Sequence, residues 1–411
     1  MRTISGDHTV ALLRKGYALL PDLRRQAGDP TVRTRLLGMR VVSVCGPEAA
    51  RRFYDEDQFV RHGALPGAVQ RTLTGVGAVH TLDGDAHRQR KSLFLALRDP
   101  VAVKAVVDRT AEEWDAAAKR WQQADRVVLL DEAAEVLMRA VCAWAGVPLG
   151  DAHARSASAD MVALVDGFGT LGPRHWRARL ARRRAEQRLE DTVLRVRAGR
   201  ETVAPGSMFE RVLQHRDQRG DLLDARMVAI ETLNVLRPAV ATTWFVAFSA
   251  HALHRWPALR LRLQEDDEPF AEAFAHEVRR FYPFAPFMGA LARRDLSWDD
   301  DVVEAGTLVL LDLFGQNHDE NLWEQPYVFR PERFLGRRPG AFDLVPQGGG
   351  DPATGHRCPG EDIVVETLKT LVPRLARLRY DVPEQDLAIS LSRMPARPRS
   401  GVVISDVRTG G

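Results

Sequence analysis

Three short stretches of this 411-residue chain place reactive side chains at spacings that could do chemistry. The segment "PQGGGDPATGHRCPGED", residues 346–362, is a glycine-dense loop that hands over to a helix, with Cys358 at the junction. Free backbone N–H groups at a helix start can donate to a sulfur anion and depress its pKa. Pro359 has no N–H, so those donors must come from Gly360 onward; the alternative is a plain structural cysteine at a helix start. In "LNVLRPAVATTWFVAFSAHAL", residues 233–253, a helix with a strongly apolar face carries Arg237 beside Pro238. In "VHTLDGDAHRQRK", residues 79–91, His80 precedes a helix on which His87 and Lys91 stand four apart, on one face.

The Arg–Pro pair is the least expected of these. Proline withholds the N–H that the carbonyl of Asn234 needs, so the helix should open locally and aim Arg237 inward. A buried guanidinium without a counter-anion is costly. Arginine grips a carboxylate through two parallel charge-assisted hydrogen bonds. A salt bridge to a protein carboxylate is one possibility, but no Asp or Glu in the adjacent turns is an obvious partner, and a ligand carboxylate is the better one.

The elements that must position these residues are mostly helices at 3.6-residue spacing: 47–57, 86–97, 100–122, 130–145, 174–198, 224–254, 269–281 and 362–376. Strand-like pieces are short: 39–46, 289–298 and 306–315, with a C-terminal pair around "RLRYDV" and "GVVISDV". No Pro/Gly/Ser-rich linker separates two halves, so residues 1–411 read as one mainly α domain with a small β-rich edge.

Composition bounds the function classes. The chain is 45% hydrophobic and 27% charged with net charge +3, ordinary for a soluble enzyme. The Arg-rich stretch at 174–200 lacks interleaved stacking aromatics and regains acidic residues, which favours a salt-bridged helix face over a nucleic-acid patch. Its basic rim could still draw in an anionic small molecule. Three scattered cysteines, Cys45, Cys142 and Cys358, indicate neither a disulfide framework nor a zinc cluster. No signal peptide or membrane span is expected, and a cytoplasmic setting is the default.

Further residues join the set. Glu277 and Arg280 share a helix face in "HEVRRFYP", and "FRPERFL" supplies Pro331, Arg333 and Phe334. With "GHRCPG" (Gly355, Arg357, Cys358, Gly360) these motifs, in this order, resemble the cytochrome P450 family over essentially the whole chain. The resemblance implies the P450 fold, with haem b buried between a long distal helix and the cysteine loop. It makes Cys358 the axial thiolate of the iron, a ligand that favours cleavage of an O–O bond. Arg61, His87, Lys91 and Arg357 become the candidates for meeting the haem propionates, each with a surface charge as its plainer reading.

Ordinary members of the family carry an acid–alcohol pair on the distal helix. Here "LRPAVATT" has no acid, and Thr242 and Thr243 lack that neighbour. "NVLRPAVA", together with residues 61–91, 166–179 and 278–290, resembles the peroxygenase branch, which oxidises long-chain fatty acids with hydrogen peroxide. On that resemblance Arg237 and Pro238 are catalytic, the Arg237-bound substrate carboxylate shuttles the peroxide proton, and no redox partner is required. The clamp would present Cα or Cβ for oxidation, giving 2- or 3-hydroxy acids, or a terminal alkene with loss of carbon dioxide.

His80 is the third catalytic candidate, because hydroxylating relatives often carry Gln there and alkene-forming ones His. Thr74 stands where relatives tend to have Phe, six residues earlier. Val165, Phe168, Phe284 and Phe287 are the candidates for lining the acyl channel, though such aromatics are as often plain core. Two other functions compete: a conventional redox-partner-fed monooxygenase, and a haem protein that binds fatty acids or gases without turnover. The missing acid–alcohol pair speaks against the first, and the lack of an output domain against a sensor.

Overall fold

The computed structural model describes residues 1–265 and 267–409. Helices dominate it, and three small sheets flank them. The largest sheet has six strands in the order β1-β2-β3-β9-β6-β4. These are β1 (Arg2–Asp7), β2 (Val32–Leu36), β3 (Met39–Val44), β4 (Phe59–Val60), β6 (Phe287–Ala292) and β9 (Leu308–Asp312). β3 and β9 run parallel, with Val41 opposite Leu308, and β6 pairs antiparallel to β9. β5 (Val127–Val128), β10 (Arg379–Asp381) and β11 (Val403–Arg408) form a second sheet, and β7 (Leu296–Trp298) with β8 (Asp301–Val303) a hairpin. The expected C-terminal strand pair is therefore present.

Several helices run as the apolar spacing predicts: Pro100–Trp121, Leu129–Ala145, Pro173–Arg197, Glu268–Phe281 and Glu361–Arg377. Their ends have identifiable causes. Asp267 accepts from the Phe270 N–H at 2.9 Å, and Glu361–Arg377 opens with two acidic residues and closes with Arg374 and Arg377, matching its dipole. On the Arg-rich helix, Arg184 and Arg188 pair with Asp160, and Arg182 with Glu186, so this is a salt-bridged face.

Other expectations need correction. The helix expected over 224–254 is two, Ala225–Ala241 and Thr243–Arg255. The break falls at Thr242, whose N–H bonds the Ala239 carbonyl at 3.1 Å, three residues back instead of four. The interruption thus appears one turn beyond Pro238, not at it. The helix expected over 86–97 is α-helical from Gly84 to Lys91 and then 3₁₀ over Ser92–Arg98. There the Ser92 hydroxyl bonds the Gln89 carbonyl at 2.6 Å, a local alternative to the α ladder. The strand expected over 306–315 stops at Asp312, because that side chain caps the short helix Leu313–Asn317 at the Gly315 N–H, 2.8 Å. The 289–298 strand divides into β6 and β7, and the helix from residue 47 ends at Phe53.

Helices Thr9–Lys15, Leu19–Ala27, Asp151–Asp166, Met208–Gln214 and Pro257–Gln264 were not anticipated. Asp151–Asp166, "DAHARSASADMVALVD", shows why: its first half buries small Ala and Ser residues, which leave little apolar periodicity. Two large apolar clusters lie along the central pair of helices. One gathers Ala241, Trp244 and Phe245 with Val165, the other Val228, Leu233 and Leu236 with Met161 and Leu164.

Candidate active site

The cysteine loop is fixed from several sides. Cys358 N–H donates to the Gln347 carbonyl at 3.2 Å, and Gln347 Nε2 lies 3.9 Å from Cys358 Sγ. Arg279 holds Gln347 Oε1 at 3.1 Å and pairs with Glu361, which Arg357 also grips at 2.6 Å. Gln347, Arg279 and Glu361 were not anticipated as site residues; Arg279 sits directly beside the Arg280 that the motif picks out. Gly348 has φ +94°, and a Cβ there would lie 2.7 Å from the Tyr54 hydroxyl, so the loop's glycine density permits close approach. The Gly360 N–H does lower the Cys358 pKa as its position suggests, but burial outweighs it and the net direction is upward. Binding to a cation is what deprotonates such a thiol outright.

The Glu277–Arg280 pair is bidentate, at 2.7 and 2.8 Å, and wholly buried. Arg333 Nε lies 3.0 Å from the same carboxylate. Arg280 also donates to the carbonyls of Asn317 and Pro326, both at 2.8 Å, tying the segment before the cysteine loop to this helix. The role of this cluster is structural.

Near the loop, cationic and imidazole groups gather. Lys91, at the end of helix Gly84–Lys91, donates to the Gly355 and Arg357 carbonyls; burial lowers its pKa to about 8. His87 stacks on His356, ring centroids 3.9 Å apart. Burial pushes the His87 pKa down to about 4 and the His356 pKa well below the imidazole range. The Arg61 guanidinium donates once, to the Phe53 carbonyl at 3.2 Å, and lies over the Phe53 ring. Buried nitrogens without a hydrogen-bond partner include Arg61 Nε and Nη1, His87 Nδ1, which lies 3.9 Å from Glu56 Oε1, and His356 Nε2. Buried donors are normally paired, so this cluster suits an anion. A haem, with its propionates among these nitrogens and its iron on Cys358, fits the residues present. Arg357 differs from the other candidates: it is committed to Glu361 and to the Gly350 carbonyl at 3.2 Å. His356, inside the quoted "GHRCPG", went unassigned in the sequence.

On the other side lies helix Ala225–Ala241. Arg237 is 8% exposed, and its Nη2 reaches Asn234 Oδ1 at 3.3 Å while Nε has no partner. Among the described residues no carboxylate lies within ion-pair distance of it. Burial first, then the nearby Arg182, lowers its pKa to about 9. Pro238 and Ala239 are half-buried within an otherwise buried run, so this stretch faces internal space. The charges of Cys358 and Arg237 act on one another across it.

The expectation that no acid stands nearby needs amending. Glu231, on the same helix, is fully buried and accepts from Asn234 Nδ2 at 3.0 Å, but its charge is met by Arg90 at 2.8 Å. It reaches Arg237 only through Asn234.

His80 follows Val79 in the segment over this space. The residue is exposed, yet surrounding protein and the charges of Arg237 and Lys91 push its pKa down to about 3. A residue both exposed and deeply surrounded borders internal space, and this one is a neutral imidazole at neutral pH. Thr74 is buried, and its carbonyl accepts from Asn234 Nδ2 at 3.0 Å. Of the channel candidates, Val165 and Phe284 join one cluster with Trp244 and Phe245; the Phe284 and Phe245 rings are 5.0 Å apart. Phe168, half-buried, follows the helix that carries Val165. Phe287 packs instead on the sheet cluster with Leu308 and Leu310.

Known proteins give a consistent assignment. The cytochrome P450 family model matches residues 266–387. Curated relatives match in part. Cytochrome P450 4e5, mitochondrial, of Drosophila mettleri is 27% identical over 168 residues, 36% of this chain and 31% of that protein. Putative cytochrome P450 137 of Mycobacterium tuberculosis is 30% identical over 234 residues, 53% of this chain. The match spans 48% of that relative, so the chain covers less than half the length of these curated proteins. Solved structures match throughout. Cytochrome P450SP alpha (CYP152B1), in complex with (R)-ibuprophen, has 42% identity and TM-score 0.95, covering 99% of this chain and 100% of that one. Ligand-free cytochrome P450 OleT has 35% identity and TM-score 0.96, covering 100% and 99%. With the thiol loop, the Glu277–Arg280–Arg333 cluster and full-length likeness at this identity, the chain belongs to the cytochrome P450 family.

Proposed function

We propose that this protein is a hydrogen-peroxide-dependent peroxygenase of long-chain fatty acids. It oxidises them at Cα or Cβ to 2- or 3-hydroxy acids, and by decarboxylation to terminal alkenes. The observation that carries the reading is Arg237: a buried guanidinium beside Pro238, with one long hydrogen bond to Asn234 and no carboxylate partner among the described residues. A substrate carboxylate is the anion it lacks. The solved OleT structures support the substrate class, since one is a complex with arachidonic acid.

Cys358, Arg61, His87, Lys91 and His356 would hold the haem, which when bound would supply the iron centre for peroxide cleavage and carbon oxidation. Arg237 grips the head group, which leaves Cα and Cβ as the carbons nearest the clamp. The carboxylate takes up the peroxide proton and returns it to the departing oxygen, standing in for the acid that "LRPAVATT" lacks. Val165, Phe168 and Phe284 line the path of the chain. The neutral His80 ring can donate or accept a hydrogen bond beside the oxidised substrate and so bias the outcome toward the alkene. The balances close: an acid and one hydrogen peroxide give a hydroxy acid and water, or a 1-alkene, carbon dioxide and two waters.

Purified holoprotein given hydrogen peroxide and a saturated long-chain fatty acid should yield these products in extracts. No NAD(P)H, ferredoxin or reductase should be needed. Turnover that requires those partners and ignores peroxide would assign a conventional monooxygenase instead.

A further inference from the structure

Glu231, Asn234 and Arg237 stand three residues apart on helix Ala225–Ala241, and their side chains form one hydrogen-bonded file. Glu231 Oε1 accepts from the Val79 N–H at 3.0 Å and from Arg90 Nη1 at 2.8 Å. Glu231 Oε2 accepts from Asn234 Nδ2 at 3.0 Å, which also donates to the Thr74 carbonyl at 3.0 Å. Asn234 Oδ1 then accepts from Arg237 Nη2 at 3.3 Å. One orientation of the Asn234 amide satisfies all three contacts, and Glu231 imposes it: two acceptors hold the NH2 end, so the oxygen must face the guanidinium.

From this file we infer that Glu231 is a positioning residue for both groups of the proposed chemistry. Through Asn234 it orients the guanidinium of Arg237, and through Val79 it fixes the segment that carries His80. The inference rests on the fatty-acid reading. Glu231 is wholly buried and touches neither the substrate clamp nor the thiol loop directly. Arg90 neutralises it, which keeps it from cancelling the charge of Arg237. Three donors converge on this carboxylate, more than an amide oxygen at the same place can serve.

The substitution Glu231→Gln keeps shape and removes charge. Its new NH2 would meet the NH2 of Asn234, donor against donor, and turn the Asn234 amide so that a donor faces Arg237. Fatty-acid affinity, read from the substrate-induced haem absorbance shift, should fall about tenfold, and the split among 2-hydroxy acid, 3-hydroxy acid and alkene should move. Charge alone predicts the opposite sign, because losing a nearby carboxylate reduces repulsion of the substrate carboxylate.

A coupling test separates this file from general destabilisation. If Glu231 acts through Asn234, Glu231→Gln should cost less than twofold in affinity when Asn234→Ala is already present. Should Glu231→Gln not fold, Arg90→Met reads the same link, since a buried carboxylate stripped of its cation takes up a proton. An additive tenfold loss in both backgrounds, or tighter binding in Glu231→Gln, overturns the inference. Absence of peroxide-driven product in the wild type, with the coupling in binding intact, would instead defeat the functional reading and leave the file standing.

Discussion

Replacing Arg237 by Met should weaken fatty-acid binding and at the same time stabilise the ligand-free protein. Burial holds the guanidinium pKa at about 9 where 12.5 is ordinary. At 1.36 kcal/mol per tenfold, charging it in place costs roughly 5 kcal/mol more than in water. The Asn234 contact at 3.3 Å offsets little of this. A carboxylate that supplies two charge-assisted hydrogen bonds, about 1.5–3 kcal/mol each, can recover most of it. Losing that clamp should cost about 3 kcal/mol net, or roughly a 100-fold rise in Kd at 1.4 kcal/mol per decade. Met is of similar length and apolar, and exchanging a buried unpaired ion for it is expected to stabilise by about 1–4 kcal/mol. Thermal melts with and without a saturated long-chain fatty acid test both signs together. The variant should melt above the wild type without ligand and lose most of the ligand-induced rise in Tm. A variant that binds within threefold of wild type, or melts lower without ligand, would refute the reasoning that Arg237 is an uncompensated cation awaiting a carboxylate.

Because the clamp needs its positive charge, affinity should be flat through neutral pH and weaken above about pH 9, where the free-enzyme guanidinium loses its proton; binding titrations across pH 7–10.5 show the limb. The product mixture of His80→Gln, resolved by gas chromatography, should contain less alkene than wild type, and an unchanged alkene fraction would remove His80 from the account. Pro238→Ala restores an N–H to the Asn234 carbonyl, so stability should rise by at most about 3 kcal/mol, read as a higher Tm, while the ratio of 2- to 3-hydroxy product changes as the neighbouring Arg237 shifts. His87→Ala combined with Arg61→Ala removes three of the unpartnered buried nitrogens and should speed haem loss to apomyoglobin severalfold without changing the far-UV helix signal.

Much of this protein was legible without coordinates. The thiol loop, the Glu277–Arg280 pair and the Arg237–Pro238 step are local in sequence, so spacing and residue type, read with the family resemblance, brought them out. Long helices with wide apolar faces were legible for the same reason. Helices built on small residues, such as Asp151–Asp166, were not, because their burial comes from close backbone approach and leaves no stripe of large apolar side chains.

Tertiary structure decided which charges are left over. From sequence, Arg61, His87, Lys91 and Arg357 were equivalent candidates. Folding commits Arg357 to Glu361, ties Lys91 to two loop carbonyls, and leaves nitrogens of Arg61, His87 and the unforeseen His356 without partners. Glu231 also escaped notice, since six residues of helix separate it from Arg237 and its link runs through the amide of Asn234. Residue types and intervals are written in one dimension. Whether a buried charge is met or unmet depends on what distant segments bring to it, and only the packed chain fixes that.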